Sequence, residues 1–232
     1  MKNNKKILML CLACLFLPLL VIAETAYVKL NPGDYRIAGQ SFFDRPQEDV
    51  KKDIIANIEN INVIFDENFG GTFLHFASTN GTPEILKFIL DNGADIEALD
   101  CFSHTPLCGA AMMGRDDSVK ILLEYGADPN YTYINRKPIH LALSGYISVL
   151  LSDISERKNN YISKVDKLPE EKPWRKRTVQ NRGLMIKLLW PVTELKENEL
   201  EIWKKEFSSD LKSELTKPEI EKEWNKFLSL IK

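Results

Sequence analysis

The sequence predicts an all-α fold, a solenoid of helix-turn-helix repeats joined by hairpin loops and closed by C-terminal capping helices. Residues 71–100 and 104–133 align without a gap at an offset of 33 residues, a period typical of stacked supersecondary units. After residue 191, apolar residues recur at helical spacing in two further segments. With 232 residues, the chain is long enough to bury one core and to carry an appendage.

The first 23 residues have the pattern of an export signal. Three lysines precede an apolar run over 7–23, which Pro18 interrupts and which ends in a small residue before Glu24. A basic segment, an apolar segment and a small residue at the cleavage point are typical of a signal peptide. We therefore expect an exported protein, periplasmic or extracellular, with residues 24–40 as an N-terminal extension and no stable membrane insertion after cleavage.

Two alternatives stay open at this end of the chain. The apolar run can remain as an uncut anchor, although 17 residues with a central proline are short against the ~20 that a spanning helix needs. The second alternative is a lipid anchor on Cys14, but the apolar run continues well beyond this residue. A cleaved leader explains the pattern better than either.

The matched positions of the two aligned segments predict where each helix begins. Thr72 matches Thr105, and a threonine hydroxyl can cap the first helix of a repeat. Pro106 follows at the first helical position, where its missing N–H costs nothing. Gly81 and Gly114 are expected to end these helices in the left-handed conformation.

The second helix of each repeat is predicted from an apolar face and a terminal glycine. Residues 86–90 and 119–123 supply the apolar faces. Gly93 and Gly126 match and are expected to end the helices before an extended hairpin. Each repeat therefore reads as two antiparallel helices and a loop.

These segments resemble the ankyrin repeat, because they carry its 33-residue period and most of its T-P-L-H-x-A signature. The resemblance implies a scaffold that binds another protein and does not catalyse a reaction. It also implies that His75 and His140, at the histidine position of the signature, bond to hairpin backbone in a structural role. The residues assigned to the structural motif are Thr72, His75, Thr105, Pro106, Pro138 and His140.

The repeat frame divides the chain into units. Repeats are expected over 41–192, with a degenerate first unit at 41–68, clear units at 69–101 and 102–134, and a last unit at 135–192. Lys120 and Lys187 hold matching positions but are 67 residues apart instead of 33. An inserted segment, at about residues 152–178, is therefore predicted inside the last unit. The alternative is a second helix over Ser144 to Ser155, followed by a decayed fourth repeat.

Residues 193–232 are predicted to form a C-terminal helical cap. Apolar residues share one face in each of two helices, and Thr216 and Glu219 form a capping box that opens the second helix. A solenoid must cover its last apolar face, which favours a cap. A helix that binds a partner or a membrane surface is the alternative.

The charge distribution excludes one class of partner. The formal net charge is −2, so no global basic field would attract nucleic acid. Residues 46–135 nevertheless hold fifteen acidic and five basic residues, whereas residues 157–187 hold ten basic and three acidic. These segments either attract each other within the molecule or keep the surface solvated.

No arrangement of residues typical of catalysis is evident. Cys101, His104 and Cys108 are close in sequence, but a structural zinc site needs four ligands and no fourth is nearby. A disulfide between Cys101 and Cys108 is an alternative that an oxidising compartment would permit. Phosphate loops, nucleophile elbows and H-E-x-x-H pairs are missing from the sequence. We expect no cofactor, no metal and no enzymatic activity.

The resemblance implies that partners bind to hairpin tips and to the exposed side of the first helices. The side chains predicted there are apolar for solvent-facing positions, and large apolar groups commonly anchor interfaces. Met112 and Met113 can instead pack against neighbouring repeats. The residues of this predicted surface are Phe69, Phe102, His104, Met112, Met113, Tyr131, Tyr133, Ile134 and Arg136.

A protein partner of this surface can serve more than one biological role. The alternatives are a periplasmic stress or envelope factor that assists an enzyme, and a secreted effector that binds a host protein. A metal-dependent enzyme is a weaker third alternative, because the sequence offers no ligand set for a metal.

Overall fold

A computed structural model describes residues 43–65, 70–158, 179–196 and 198–231. The predicted signal peptide, the extension over 24–40, Cys14 and Phe69 lie outside the described residues, as do residues 159–178 of the predicted insertion. The described part is helical and contains no strand, apart from an isolated bridge between Tyr133 and Arg136.

Nine α-helices follow one another in the described part. One 3₁₀ turn, Ile58–Asn60, lies between the first two of them. The helices are α1 Gln47–Ala56, α2 Phe73–Asn80, α3 Pro83–Asp91, α4 Pro106–Met113, α5 Asp116–Glu124, α6 Pro138–Lys158, α7 Val179–Leu189, α8 Glu199–Leu211 and α9 Lys217–Ile231.

The helices stack in two layers. Helices α2, α4 and α6 pack side by side and form the inner layer, while α1, α3, α5 and α7 pack in the same order and form the outer layer. Each inner helix is joined to the following outer helix of its repeat. The predicted all-α repeat solenoid is confirmed.

The inner helices begin at the predicted residues. Thr105 Oγ1 accepts a hydrogen bond from the Cys108 N–H at 3.3 Å, and Pro106 occupies the first turn. At the equivalent start of α2, the Thr72 N–H donates to His75 Nδ1 at 3.1 Å. Both threonines have extended backbone, so equivalent residues open equivalent helices.

The predicted role of Gly81 is wrong in one respect. Gly114 has a φ of 75° and is left-handed as expected, but Gly81 has a φ of −75° and is extended. A Cβ on Gly81 would lie 2.7 Å from the carbonyl oxygen of Ala77. Close approach to the preceding helix turn therefore explains this glycine. Gly93 and Gly126 have φ values of 87° and 94°, as predicted for helix-ending residues.

The last unit, 135–192, is the third full repeat after those at 69–101 and 102–134, and it contains one long inner helix. Ser144 to Ser155 continue α6 and do not form a separate second helix. The position of a second helix is taken by α7, which packs against both α5 and α6. The separate second helix over Ser144 to Ser155, considered from the sequence, is therefore not observed.

Two buried arginines connect successive units. Arg115 Nη2 donates to the Gly81 carbonyl at 2.7 Å, and Arg182 Nη1 donates to the Met112 carbonyl at 3.0 Å. The two arginines are 67 residues apart, the interval that also separates the lysines of the second helices. A Cβ on Gly145 would lie 1.9 Å from Arg182 Nη1, so that glycine makes room for the guanidinium.

The C-terminal helices cover the end of the stack. Helix α8 packs on α6 and helix α9 packs on α7. At the start of α9, the Thr216 N–H and the Thr216 hydroxyl both donate to Glu219 Oε2, at 2.8 and 2.7 Å. Seven large side chains of the two helices are buried: Trp203, Phe207, Leu211, Ile220, Trp224, Phe227 and Ile231.

Candidate functional site

The hairpin of the second repeat presents an aromatic side chain to solvent. Asp100 Oδ1 accepts hydrogen bonds from the N–H groups of Phe102 and His104, both at 2.8 Å. Ser103 between them is left-handed, with a φ of 61°. This tight turn holds Phe102 outward, where 47% of its surface is exposed. Local hydrogen bonding therefore fixes an apolar group in water.

The hairpin of the third unit does the same with an aliphatic side chain. Tyr133 and Arg136 exchange two backbone hydrogen bonds of 2.9 and 2.8 Å around Ile134 and Asn135, whose φ values are 46° and 62°. A β-branched residue in this conformation is a genuine outlier. Such strain costs about 1–3 kcal/mol and clusters at functional sites. Ile134 is also 72% exposed.

Aromatic contacts connect the two hairpins. The half-buried His104 ring lies 4.4 Å from the Tyr133 ring and 6.2 Å from the Phe102 ring, measured between centroids. The Tyr131 hydroxyl donates to the Ser103 carbonyl at 2.7 Å. The structure thus brings together the hairpin residues that the sequence singled out. Arg136 is exposed at the edge of this group and donates to Ser144 Oγ at 3.3 Å.

A cleft of about 170 Å³ opens between the hairpin that holds Asp100 and the inner helices α2 and α4. We name it the inner cleft. Met112 is exposed, whereas Met113 is half-buried. Both methionines border the cleft. The lining residues are Gly71, His75, Phe76, Thr79, Asp100, His104, Gly109, Met112 and Met113.

His75 joins the first repeat to the second hairpin. Its Nδ1 accepts from the Thr72 N–H, and its Nε2 lies 3.0 Å from the His104 carbonyl oxygen, to which it donates. Burial lowers the pKa of His75 below its ordinary value, and the hydrogen bond to the His104 carbonyl only partly offsets this effect. A neutral ring with the proton on Nε2 fits both contacts. The hairpin contact implied by the family resemblance is present here.

His140 does not make the contact that the resemblance implied. Its Nδ1 accepts from the Lys137 N–H at 3.0 Å, but its Nε2 lies 2.7 Å from Glu199 Oε1 of α8. In the part of the chain that the structure describes, helix α8 and not another hairpin packs beside α6, so a carboxylate of the cap takes the place of a backbone carbonyl. Burial raises the pKa of Glu199, but hydrogen bonds and charge from His140 and the Trp203 indole outweigh burial and lower it overall.

The cysteine and histidine cluster is not assembled. Cys101 and Cys108 are both free thiols, the first exposed on the hairpin and the second buried in α4, so the disulfide considered from the sequence is absent. Burial raises the pKa of the Cys108 thiol, which keeps it unreactive. His104 faces Asp100, with 3.4 Å between Nδ1 and Oδ2. In the described ranges, no group of three or more His, Cys, Asp or Glu side chains is placed to hold a metal ion.

Sequence reasoning missed three features of this region. Gly109 at the cleft was not singled out, although a glycine inside a helical segment is a visible signal. The arginine pair was detectable from its 67-residue interval. Glu199 carried no signal, because its role depends on how α8 docks against α6.

The comparisons with known proteins agree with this architecture. The family model described as ankyrin repeats (3 copies) matches residues 46–133 and 74–160. The chain contains ankyrin repeats, and its fold is an ankyrin-repeat solenoid. Across the described helices, none is long and apolar enough to cross a membrane.

Relatives from distant organisms share the repeats. An ankyrin repeat protein of Rickettsia bellii is 46% identical over 56 residues, 24% of this chain and 23% of that protein. An ankyrin repeat protein of Acanthamoeba polyphaga mimivirus is 32% identical over 106 residues, 43% of this chain and 65% of that protein. Protein phosphatase 1 regulatory subunit 12A of Mus musculus is 34% identical over 68 residues, 29% of this chain and 7% of that protein. The chain spans less than two thirds of each relative.

Proposed function

We propose that this chain is an exported, non-catalytic ankyrin-repeat scaffold that binds another protein through its hairpin tips and the inner cleft. The observation that carries the proposal is the row of exposed apolar side chains on this one face. Phe102, Met112 and Ile134 are 47, 44 and 72% exposed, and two of them sit on hairpins whose backbone is held in left-handed turns.

Exposed apolar groups on a rigid frame favour an interface. Large side chains that lose water at the centre of a contact supply most of its binding energy, and methionine adapts its shape to a partner. The frame is preorganised, because Asp100 fixes one hairpin and paired backbone bonds fix the other. Little ordering would therefore be needed on binding.

The non-catalytic part of the proposal is supported by the chemistry of the described side chains. Both ring nitrogens of the buried His75 form hydrogen bonds within the protein, with the Thr72 N–H and the His104 carbonyl. The buried Cys108 thiol has a raised pKa. Neither group is poised as a base or a nucleophile.

Export is supported by the basic and apolar pattern of residues 1–23. The test is N-terminal sequencing of the protein isolated from its cells, with a mature chain that starts near Glu24 as the expected result. A chain that retains residue 1 would contradict export by cleavage, and acylated Cys14 would identify a lipid anchor instead. Cell fractionation then separates an envelope factor from a secreted effector.

Protein binding is tested by capture from the native compartment with a triple variant, Phe102→Ser, Met112→Ser and Met113→Ser. We expect the folded variant to lose partners that the wild type retains, because three apolar anchors are removed. The matched control is Ile55→Ser, Tyr125→Ser and Leu184→Ser, three residues on outer-layer elements that are 48, 41 and 47% exposed. If both triple variants captured the same partners as the wild type, the hairpin tips and the inner cleft would not be the binding surface.

A further inference from the structure

Gly109 has no packing reason to be a glycine. It lies inside α4, where glycine costs about 0.5–1 kcal/mol relative to alanine. A Cβ built on Gly109 would meet only Thr79 Cγ2, at 3.4 Å, an ordinary van der Waals contact. Gly145 differs, because a Cβ there would collide with Arg182 at 1.9 Å. The fold explains Gly145 and leaves Gly109 unexplained.

Gly109 lines the inner cleft, beside Met112 and Met113. A glycine lets another chain approach a helix backbone closely. The cleft volume of about 170 Å³ is well below the roughly 300–1,000 Å³ of small-molecule sites. It therefore suits one inserted side chain of a protein better than a cofactor, and its Phe76 and methionine walls suit an apolar side chain.

Of the described residues that line the inner cleft, Asp100 alone carries a formal charge, and it is acidic. Helices α2 and α4 contain no Asp, Glu, Lys or Arg, and the hairpin between Gly93 and Thr105 contains three acidic residues and no basic one. Asp100 lines the cleft itself, while Asp95 and, in the next loop, Asp128 are exposed.

The basic residues of these two repeats lie elsewhere. Lys87 and Lys120 are on outer helices, and Arg115 is buried against the Gly81 carbonyl. In the third unit, Arg136 donates to Ser144 and Lys137 donates to Asn130. Arg182 reaches the Met112 carbonyl but is buried. Opposite potentials steer and select partners, so the first two repeats favour a cationic occupant.

We infer that the inner cleft receives a large apolar side chain from an extended, Lys- or Arg-containing segment of a partner protein, seated over Gly109 with a basic residue beside Asp100. This inference rests on the proposed function and extends it by naming the chemistry of the partner. The apolar residue supplies affinity and the carboxylates supply selectivity and a fast, salt-sensitive encounter.

The experiment selects peptides from a random 12-residue phage library against the full chain and measures their affinity by fluorescence anisotropy. We expect enriched peptides that combine a large apolar residue with neighbouring Lys or Arg. Gly109→Leu fills the cleft and is expected to weaken binding at least about tenfold, or ~1.4 kcal/mol. Met112→Ser is a second variant that alters the same wall without adding bulk, and circular dichroism checks that each variant is folded.

The charge contribution is tested with Asp95→Asn, Asp100→Asn and Asp128→Asn. Asparagine keeps the side-chain oxygen that accepts the hairpin N–H bonds of these residues but removes the charge. The control neutralises three outer-helix residues by the same amount, Glu84→Gln, Asp91→Asn and Glu124→Gln. We expect only the hairpin variant to weaken the selected peptides and to reduce the salt dependence of binding.

Several outcomes would overturn the inference. Selection of peptides without Lys or Arg, or unchanged affinity in Gly109→Leu, would do so even if the Phe102, Met112 and Met113 triple variant loses partners and the proposed function stands. Tighter binding by a peptide of residues 169–178 of this chain would make the occupant intramolecular, and dimerisation abolished by Gly109→Leu would make it a second copy. If the triple variant binds every peptide and protein as well as the wild type does, the proposed function itself fails.

Discussion

His75 and His140 hold the same place in the first and third units, yet their outer ring nitrogens meet different partners. Both Nδ1 atoms accept a backbone N–H, from Thr72 and Lys137. His75 Nε2 faces a backbone carbonyl of the next hairpin, whereas His140 Nε2 faces the Glu199 carboxylate. Inside the stack, repeats join through the backbone. At its end, a particular side chain replaces the missing hairpin.

The difference changes what each junction depends on. The carbonyl partner of His75 is present whatever residue stands at position 104, so the interior junction tolerates sequence change. The end junction needs Glu199, and it also needs the Trp203 ring that lies 5.5 Å from the His140 ring. We therefore expect the cap to be more sensitive to single substitutions than the interior frame.

The largest expected effect is the loss of the cap anchor in Trp203→Ala. Trp203 is fully buried, and truncation of a buried tryptophan costs about 3–5 kcal/mol. Urea unfolding followed by circular dichroism measures the change. Ile202→Ala, its exposed neighbour on α8, is the control and should lose far less stability. Equal losses would show that the cap is not held through Trp203.

The second prediction compares the two buried arginines. Arg115→Met and Arg182→Met remove the donors to the Gly81 and Met112 carbonyls, and an unsatisfied buried acceptor costs about 1–3 kcal/mol. Thermal unfolding measures both losses. The controls are Lys120→Met on α5 and Lys187→Met on α7. Both lysines are exposed, so these substitutions should change stability little. If Arg182→Met left the stability unchanged, Arg182 would not stabilise the last unit.

The third prediction separates the junctions by pH. Folding lowers the pKa of His75 from 6.5, so its contribution to stability is complete above pH 6.5 and is lost as the pH falls through the folded value. Folding also lowers the pKa of Glu199 from 4.5, so its contribution is present above pH 4.5 and is lost below it. Melting temperatures of wild type, His75→Gln and Glu199→Gln between pH 8 and 3 should differ in these two windows. Identical profiles for the two variants would contradict the distinction.

The smallest expected effects come from glycines. Gly109→Ala should stabilise the protein by about 0.5–1 kcal/mol, because alanine favours the helix and its Cβ finds space. Gly93→Ala should destabilise it by a similar ~1 kcal/mol, because φ at Gly93 is 87°. Calorimetry in one buffer compares them. A stability loss in Gly109→Ala would mean that packing, and not a partner, requires the glycine.

The repeats themselves were predictable because their signals are local. Thr72, Thr105 and Gly114 set helix ends through their own backbone and side-chain chemistry, and the structure has them in those roles. Gly81 shows the limit of this reasoning, since a glycine explained by close approach looks the same in sequence as one explained by a left-handed turn.

The end of the stack was less predictable because its contacts are long-range. The His140 to Glu199 contact joins residues 59 positions apart, and no periodicity connects them. The contribution of Gly109 to the inner cleft likewise depends on how α2 and α4 pack. Local patterns predict the frame, whereas the docking of elements decides the site.

Hydrogen exchange of the full chain, free and with a captured partner, tests the central claim most directly. The account predicts slower exchange at the amides of residues 101–104, 109–113 and 133–136 on binding, with the outer helices α3 and α5 unchanged. Slower exchange confined to the outer helices or to α8 and α9 would contradict binding at the inner face.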